Sequence, residues 1–356
     1  MKKVDAIIVG QGLAGTSMAL SLMERGRKVC VIDPKYHKDH SFLNASRSAA
    51  GLFNPITGRK MVKTWMADSL FSGLANFYQK LEAEWSVSFY HEAPIYRPFQ
   101  SVEDQNDWVG SEEDESFSRF IKQVYTDSIG LPGYIDPFGG LLLEKSGYLD
   151  VPTFLDAAES QLQREQAFLT ASVKYSNFHY AESKVFYDDD VNKVEARWVI
   201  YCTGVEQSES NPWANLKFRP VKGEWLTLDM IFDPNYILNR GVFMIPREGV
   251  VRVGATYDHS SLDRTPTIKA QKDIIERMHK IYRGEYRILD QKVGIRPATY
   301  DRKPFVGVHP HNSKVAILNG LGAKGVTLAP YFAEHLADHL LEGTPLLPEV
   351  DVLRCF

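Results

Sequence analysis

Val4-Asp5-Ala6-Ile7-Ile8-Val9-Gly10-Gln11-Gly12-Leu13-Ala14-Gly15 is the stretch on which the fold turns. Val4 to Val9 is an apolar run of strand length that stops at Gly10. Gly10, Gly12 and Gly15 then satisfy G-x-G-x-x-G, a weak pattern alone but informative between a strand and a helix. Leu13 to Arg25 has helical character, and Lys28 to Ile32 is a second apolar strand ending at Asp33. Strand, glycine turn, helix and strand in about 30 residues make a βαβ unit. Gly10 permits the tight turn, Gly12 lets backbone approach a pyrophosphate, and Gly15 lets helix and strand pack closely, with small Ala19 one turn on. The helix N-terminus offers free N–H groups and a favourable dipole to phosphates. Asp33, 23 residues after Gly10, places a carboxylate where it can accept from a ribose hydroxyl. An Asp that merely ends a strand is the plainer alternative; the complete unit favours the nucleotide.

Outward from this unit, Ser69 to Glu84 has helical spacing of apolar residues (Leu70, Phe71, Leu74, Phe77, Tyr78, Leu81), and Glu112 to Glu115 reads as an exposed acidic loop or helix start. Pro152 to Glu165 is a second amphipathic helix. Asp188-Asp189-Asp190 is a turn between strands, and Trp198 to Tyr201 is a strand running into Cys202-Thr203-Gly204. Glu224 to Met230, Gly241 to Ile245 and Val250 to Tyr257 read as strands of a more antiparallel sheet. Lys269 to Tyr282 is a helix, Val315 to Leu318 a strand, and Val326 to Leu341 a last helix after the turn Gly320 to Gly325. The expected fold class is therefore α/β, with a Rossmann-like domain and an inserted antiparallel-sheet α+β domain. The nucleotide domain is expected over 1–80, 146–210 and 297–356, and the inserted domain over 81–145 and 211–296.

Lys plus Arg total 41 against 45 Asp plus Glu, a net charge of −4. A protein that grips many phosphates usually carries a basic surplus, so nucleic acid is disfavoured as the main ligand. A local exception runs from Arg264 to Lys303, with eleven Lys or Arg and five Asp or Glu. Cys30, Cys202 and Cys355 suggest no disulfide framework, and no Cys/His cluster has metal-ligand spacing. The apolar run Ala6 to Val9 is too short for a signal segment, and no uninterrupted apolar stretch is long enough to span a bilayer. A soluble cytoplasmic protein is expected, without a metal, and with a homo-oligomer left open.

The glycine turn does not choose between NAD and FAD. Two later features favour FAD. The strand Val199 to Tyr201 ends at Thr203-Gly204 in mid-chain. Gly320-Leu321-Gly322-Ala323-Lys324-Gly325 then opens a helix beginning Val326-Thr327-Leu328-Ala329-Pro330. A second helix N-terminus suits a flavin ring carbonyl, where negative charge develops on reduction.

These segments, with Ser46 to Pro55, Val250 to Tyr257 and Val293 to Pro330, resemble the D-amino-acid-oxidase-like family of FAD enzymes nearly end to end. Among its members the chain is similar to glycine oxidase and to the FAD domain of the bifunctional enzyme that modifies the wobble uridine of tRNA. The most specific match is Gly294-Ile295-Arg296-Pro297-Ala298-Thr299-Tyr300-Asp301-Arg302-Lys303-Pro304-Phe305-Val306-Gly307. It fits the family's Gly-x-Arg-Pro-x-Thr-x-Asp-x-x-Pro-x-x-Gly. The family's Arg binds the substrate carboxylate, which implies that role for Arg296. Ser46 to Gly51 resembles the segment that crosses the flavin, and Val253 to Tyr257 the strand behind the substrate. By the same similarity Phe243 and Tyr257 face the substrate. Many members have Glu at the place of Asp33. Glycine oxidase has Tyr and Met at the places of Phe243 and Tyr257, and an Arg beside the place of Lys324; the wobble-uridine enzyme has Arg at that place itself.

Non-covalent FAD is expected at Gly10, Gly12, Leu13, Ala14, Gly15, Asp33 and Pro34, along Ser46, Arg47, Ala49, Ala50, Gly51 and Leu52, and at Val173. Cys202, Thr203, Gly204, Arg296, Gly320, Gly322, Ala323, Lys324, Gly325, Val326 and Thr327 complete that set. Arg296, Tyr257, Phe243 and Lys324 are the expected catalytic residues. The implied reaction moves a hydride from the carbon of a carboxylated amine or amino acid to flavin N5, with oxygen or another acceptor reoxidising the flavin. It calls for a carboxylate clamp, and the fork of an Arg suits that task. The plainer reading of Arg296 is a structural ion pair with Asp301 or a neighbour. Arg252, on one strand face with Gly254 and Thr256, would bring charge near the flavin. Competing readings are an oxidase acting on carboxymethylated uridine in tRNA and a flavoprotein subunit without turnover. The net charge and the want of a methyltransferase-like partner domain disfavour the first of these, and Arg296 the second.

Overall fold

Strands Phe168–Thr170, Val29–Asp33, Ala6–Val9, Trp198–Tyr201, Asn312–Asn319 and Phe305–His309 form, in that spatial order, the sheet that carries the glycine turn. The first five run parallel and the last antiparallel to its neighbour. The computed structural model describes residues 1–34, 44–58, 60–111, 113–205 and 211–356. Strand alternation divides the apolar residues of this sheet between two cores. Ala6, Ile8, Val29, Val31 and Ile200 meet the helices Leu13–Glu24 and Gly325–Glu342 on one face. Ile7, Val9, Cys30, Ile32, Val199 and Ile317 meet Phe178, Val185 and Val194 of a four-stranded sheet on the other. A parallel sheet covered on both faces explains why its strands read as unbroken apolar runs. The two flanking helices are also joined by Arg25 to Asp338 at 2.7 Å.

A second sheet of eight strands runs Tyr286–Arg296, Val221–Met230, Val250–Gly254, Val242–Arg247, Ile237–Arg240, Ile95–Pro98, Gly140–Leu143 and Ile121–Tyr125. Its pairings are antiparallel apart from Ile237–Arg240 with Ile95–Pro98. Leu226, Leu228, Met244, Val251 and Val253 pack on the helix Ile268–Met278 through Ile274 and Met278. Phe243 and Ile245 point the other way, into the core shared with the parallel sheet. The face that carries Phe243 therefore looks toward the glycine turn.

The fold class is as expected, and the differences lie at element ends. The helix expected over Ser69 to Glu84 is two, Ala67–Ser72 and Leu74–Trp85, divided at Gly73, the poorest helix former in the segment. The Val250 strand ends at Gly254, after which Thr256 and Asp258 still bond Glu224 and Lys222 through backbone N–H groups. The helix expected to reach Tyr282 ends at Met278, although Ile281 and Tyr282 remain buried. Glu112 and the expected boundary at 210 lie outside the described residues; Glu113 to Glu115 are exposed.

Candidate active site

Gly10 adopts φ +103°, and a Cβ there would lie 2.6 Å from the Cys202 carbonyl oxygen. A Cβ on Gly15 would lie 1.8 Å from the Gly10 carbonyl oxygen, so only glycine lets the helix close on the turn. The Gln11 backbone N–H donates to Asp33 Oδ2 at 2.7 Å, placing the Asp33 carboxylate at the mouth of the turn. The Leu13 N–H, first in its helix, donates to Ser46 Oγ at 3.1 Å. An N–H at a helix start served by an oxygen ligand is the donor set a pyrophosphate uses, and these residues fit FAD. Pro34 follows Asp33 at the surface. Val173 packs on the second core, two residues after Ala171, whose N–H bonds the Asp33 carbonyl.

Three loops meet here at the carboxyl ends of the parallel strands, the usual ligand crevice of such sheets. Cys202 N–H bonds the Val9 carbonyl at 2.9 Å, and Asn319 Nδ2 bonds the Gly204 carbonyl at 2.9 Å, which fixes Thr203 between them. Gly322 N–H bonds the Pro297 carbonyl at 3.2 Å, and a Cβ on Gly325 would meet Leu13 Cδ1 at 2.9 Å. Gly320 and Gly322 both take positive φ, at 77° and 56°, to make the turn. Ala323 and Lys324 stay exposed at its tip, while Val326 and Thr327 are buried in the helix that follows. The Lys324 carbonyl accepts from both the N–H and the hydroxyl of Thr327.

The segment after Ser46 is gripped from several sides. Arg47 is paired with Asp156 at 2.6 Å and Glu159 at 3.9 Å, so its guanidinium serves the helix Val151–Arg164. Gly51, at φ +82°, lies so near strand Gly147–Leu149 that a Cβ would stand 1.9 Å from the Leu149 oxygen; Ala49 and Ala50 precede it and Leu52 pairs with Tyr148. Ser48 and Trp225 were not singled out by sequence. The Trp225 indole N–H donates to the Ser48 carbonyl at 2.8 Å, and a Cβ on Gly294 would meet Ser48 Cβ at 2.9 Å. Their signal was present: glycines inside strand runs, at 223, 254 and 294, mark close approach.

Arg296 ends the edge strand Tyr286–Arg296. Gly223, opposite Gly294 on the neighbouring strand, makes room for it, since a Cβ there would lie 2.2 Å from Arg296 Nη2. Arg296 Nη1 donates to the Thr256 carbonyl at 3.0 Å, and the Tyr257 ring lies 4.3 Å from the guanidinium carbon. The expected alternative of a pair with Asp301 is not observed. Asp301 pairs with Arg354 at 3.1 Å, and among the described residues no carboxylate lies within 4.0 Å of Arg296. Burial lowers its pKa, with Tyr257 opposing. Phe243 is half-buried beside Gly254, where a Cβ would meet its ring at 3.1 Å, whereas Tyr257 is 67% exposed and forms the outer wall. Desolvation, then Arg302 and Lys303, lower the Lys324 pKa, so three cations share the rim. Arg252 lies over Trp225, 5.1 Å from a ring centroid, with its pKa lowered to about 10 by burial and by Arg247.

The glycine turn, the segment Ser46 to Gly51 and Arg296 are thus neighbours at one end of the parallel sheet, and residues 5–339 match the family described as FAD dependent oxidoreductase. The chain belongs to that family. It is 23% identical over 368 residues to the tRNA 5-methylaminomethyl-2-thiouridine biosynthesis bifunctional protein MnmC of Marinobacter nauticus, covering 94% of this chain and 55% of that protein. The chain therefore spans about half the length of that relative. It is 25% identical over 366 residues to glycine oxidase of Bacillus licheniformis, covering 98% of this chain and 95% of the relative. Glycine oxidase from Bacillus cereus superposes with a TM-score of 0.75 at 21% identity, covering 96% of each chain. As a member of the FAD dependent oxidoreductase family the chain is an FAD enzyme with a fold of the glycine oxidase type. Among the described residues no helix is long and apolar enough to cross a membrane.

Proposed function

We propose that this enzyme oxidises the C–N bond of a small amine or amino acid bearing a carboxylate, in the cytoplasm, with Arg296 as the carboxylate clamp. One observation carries the reading: a half-buried guanidinium with no carboxylate within 4.0 Å among the described residues. A partly buried charge without a counter-ion is costly, and a ligand carboxylate would relieve that cost with a bidentate pair. FAD held by these residues would supply a hydride acceptor at N5 and a route for the electrons to oxygen or another acceptor. Arg296 orients the substrate, the Thr256 carbonyl and the Tyr257 ring hold Arg296, and Phe243 packs against the substrate beside the space left by Gly254. Lys324 adds a second positive charge at the rim. We assign FAD binding to 1–80, 146–210 and 297–356, and substrate binding to 81–145 and 211–296. The cofactor is held without a covalent bond; burial pushes the Cys202 thiol up, and so keeps the cysteine beside the turn protonated and inert.

The test is Arg296→Ala, assayed by anaerobic flavin bleaching with amino acids and N-substituted glycines. Losing two charge-assisted hydrogen bonds, about 3–6 kcal/mol, lowers kcat/KM by roughly 10²–10⁴ with FAD retained. Kinetics unchanged on every carboxylated amine would remove the clamp.

A second reading is favoured by the rim. Tyr300 is 65% exposed and lies 5.8 Å from Arg219, Tyr257 is exposed as well, and exposed Arg302 and Lys324 and half-buried Lys303 are neighbouring cations. Exposed rings among cations suit a nucleobase and its phosphates, so the amine would be a carboxymethylaminomethyl group on a tRNA wobble uridine. Salt-sensitive tRNA binding would favour this reading, and turnover of free glycine or sarcosine the first.

A further inference from the structure

We infer that Asn239 sets substrate specificity: its side-chain amide, turned by Arg97 as positioning residue, donates a hydrogen bond to a carbonyl oxygen on the nitrogen substituent of the carboxylated amine. The inference rests on the reading of Arg296 as the carboxylate clamp and of Phe243 as a wall of the substrate space. Within that reading it names the substrate class, an N-substituted amino acid whose substituent carries an acceptor.

Strand register puts Asn239 beside Phe243. The two are opposite each other where Ile237–Arg240 pairs with Val242–Arg247, and Phe243 is in turn opposite Gly254. Opposed residues share a face, with Cβ atoms about 5 Å apart. Asn239 is half-buried. Its Nδ2 has no hydrogen-bond partner among the described residues, and unlike the Nε of Arg97 it is not closed off from solvent. Arg97 stands on the other side of Asn239, in the neighbouring strand Ile95–Pro98. Its Nη1 donates to Asn239 Oδ1 at 3.1 Å and to the Ile56 carbonyl at 3.2 Å, and its Nη2 donates to the Gly58 carbonyl at 2.8 Å. A guanidinium only donates, so the amide must present its oxygen to Arg97 and turn its NH2 to the side of Phe243. Arg97 is 2% exposed, and its Nε is already unpartnered among the described residues. Turning the amide over would orphan another buried N–H. Burial and then Arg240 lower the Arg97 pKa to about 9, so it is still a cation at neutral pH. A cation on Oδ1 polarises the amide and strengthens its N–H as a donor. With the carboxylate held at Arg296, the nitrogen substituent is the part free to extend past Phe243 toward that donor. A carbonyl there is bound, whereas an alkyl group leaves the N–H unpaired and is rejected.

The experiment compares kcat/KM of FAD-loaded protein on N-(carbamoylmethyl)glycine and on N-isobutylglycine, which has the same shape without the acceptor. Wild type is expected to favour the first by about tenfold or more, mostly in KM. Asn239→Asp keeps the acceptor for Arg97 and loses the donor, so it should melt no lower than wild type and lose the preference. Arg97→Met should lower the ratio in wild type and leave it unmoved in the Asn239→Ala background, because its effect runs through Asn239. A ratio still moved by Arg97→Met without Asn239 would remove the positioning role. Arg296→Ala should slow both substrates alike and keep their ratio. Wild type that turns over both equally, or Asn239→Asp that keeps the preference, would overturn the inference and leave the clamp standing. Wild type whose flavin is bleached by neither substrate, or by both as fast in Arg296→Ala, would overturn the reading beneath it.

Discussion

The Gln11 amide and the Asp33 carboxylate, 2.7 Å apart, join the glycine turn to the end of the second strand. One carboxylate oxygen therefore holds the turn while the group stands where a ribose would lie. Asp33→Ala should cost about 1–2 kcal/mol of stability for the lost turn hydrogen bond and weaken FAD binding by roughly tenfold. Asp33→Asn should recover most of the stability, because its amide oxygen still accepts from Gln11. Denaturant unfolding and flavin release measure the two effects separately, and wild-type FAD affinity in Asp33→Ala would end the ribose role.

Gly12 and Gly15 should fail in different ways. Gly15→Ala drives a Cβ to 1.8 Å from the Gly10 oxygen, so helix and strand must part; insoluble or colourless protein is expected. Gly12→Ala meets only Ser46 Oγ, at 3.0 Å, which can yield. That variant should fold and lose flavin, read from the ratio of visible to ultraviolet absorbance.

Gly223→Ala tests the clamp without touching it. The new Cβ would lie 2.2 Å from Arg296 Nη2 and must displace the guanidinium. Misplacing an orienting group by about 1 Å costs on the order of 10²-fold, so kcat/KM should fall by that much while FAD content stays at wild type. Equal activity would mean that the guanidinium position is immaterial.

Asp150 and Arg247 form a buried ion pair, with side chains 7% and 11% exposed. Burial alone would raise the Asp150 pKa, but hydrogen bonds from Thr153 and Arg247 hold it below the usual carboxylate range. A carboxyl depressed on folding stabilises the protein above its unfolded pKa, and that stability is lost as pH falls through the folded value. Acid titration of wild type should thus show stability falling below about pH 4. Arg247→Ala, which leaves the carboxylate unpaired, should cost about 3–5 kcal/mol at neutral pH and flatten that acid limb. A limb as steep as wild type would exclude Asp150 as its source.

The fold was legible where one principle dominated. Ile7 and Ile8 are buried on opposite faces of one sheet, and such a strand must read as an unbroken apolar run. Arg296 was legible from its motif, yet whether Asp301 neutralises it was not, because that depends on Arg354, 53 residues further on. Ser48 and Trp225 escaped notice since an indole reaching a carbonyl 177 residues away leaves no periodic trace. The break at Gly73 was missed for a different reason: the apolar spacing on either side of it stays in phase with one long helix.

The parallel sheet places Trp198–Tyr201 between Ala6–Val9 and Asn312–Asn319. On the ribosome, the first βαβ unit therefore emerges well before Trp198–Tyr201, the strand that covers the edge of Ala6–Val9. Its open strand edge waits through more than half of translation, and pairings of such sequence separation form slowly. Production of this enzyme should depend on chaperones more than its ordinary composition suggests, and slower elongation should raise the yield of native protein.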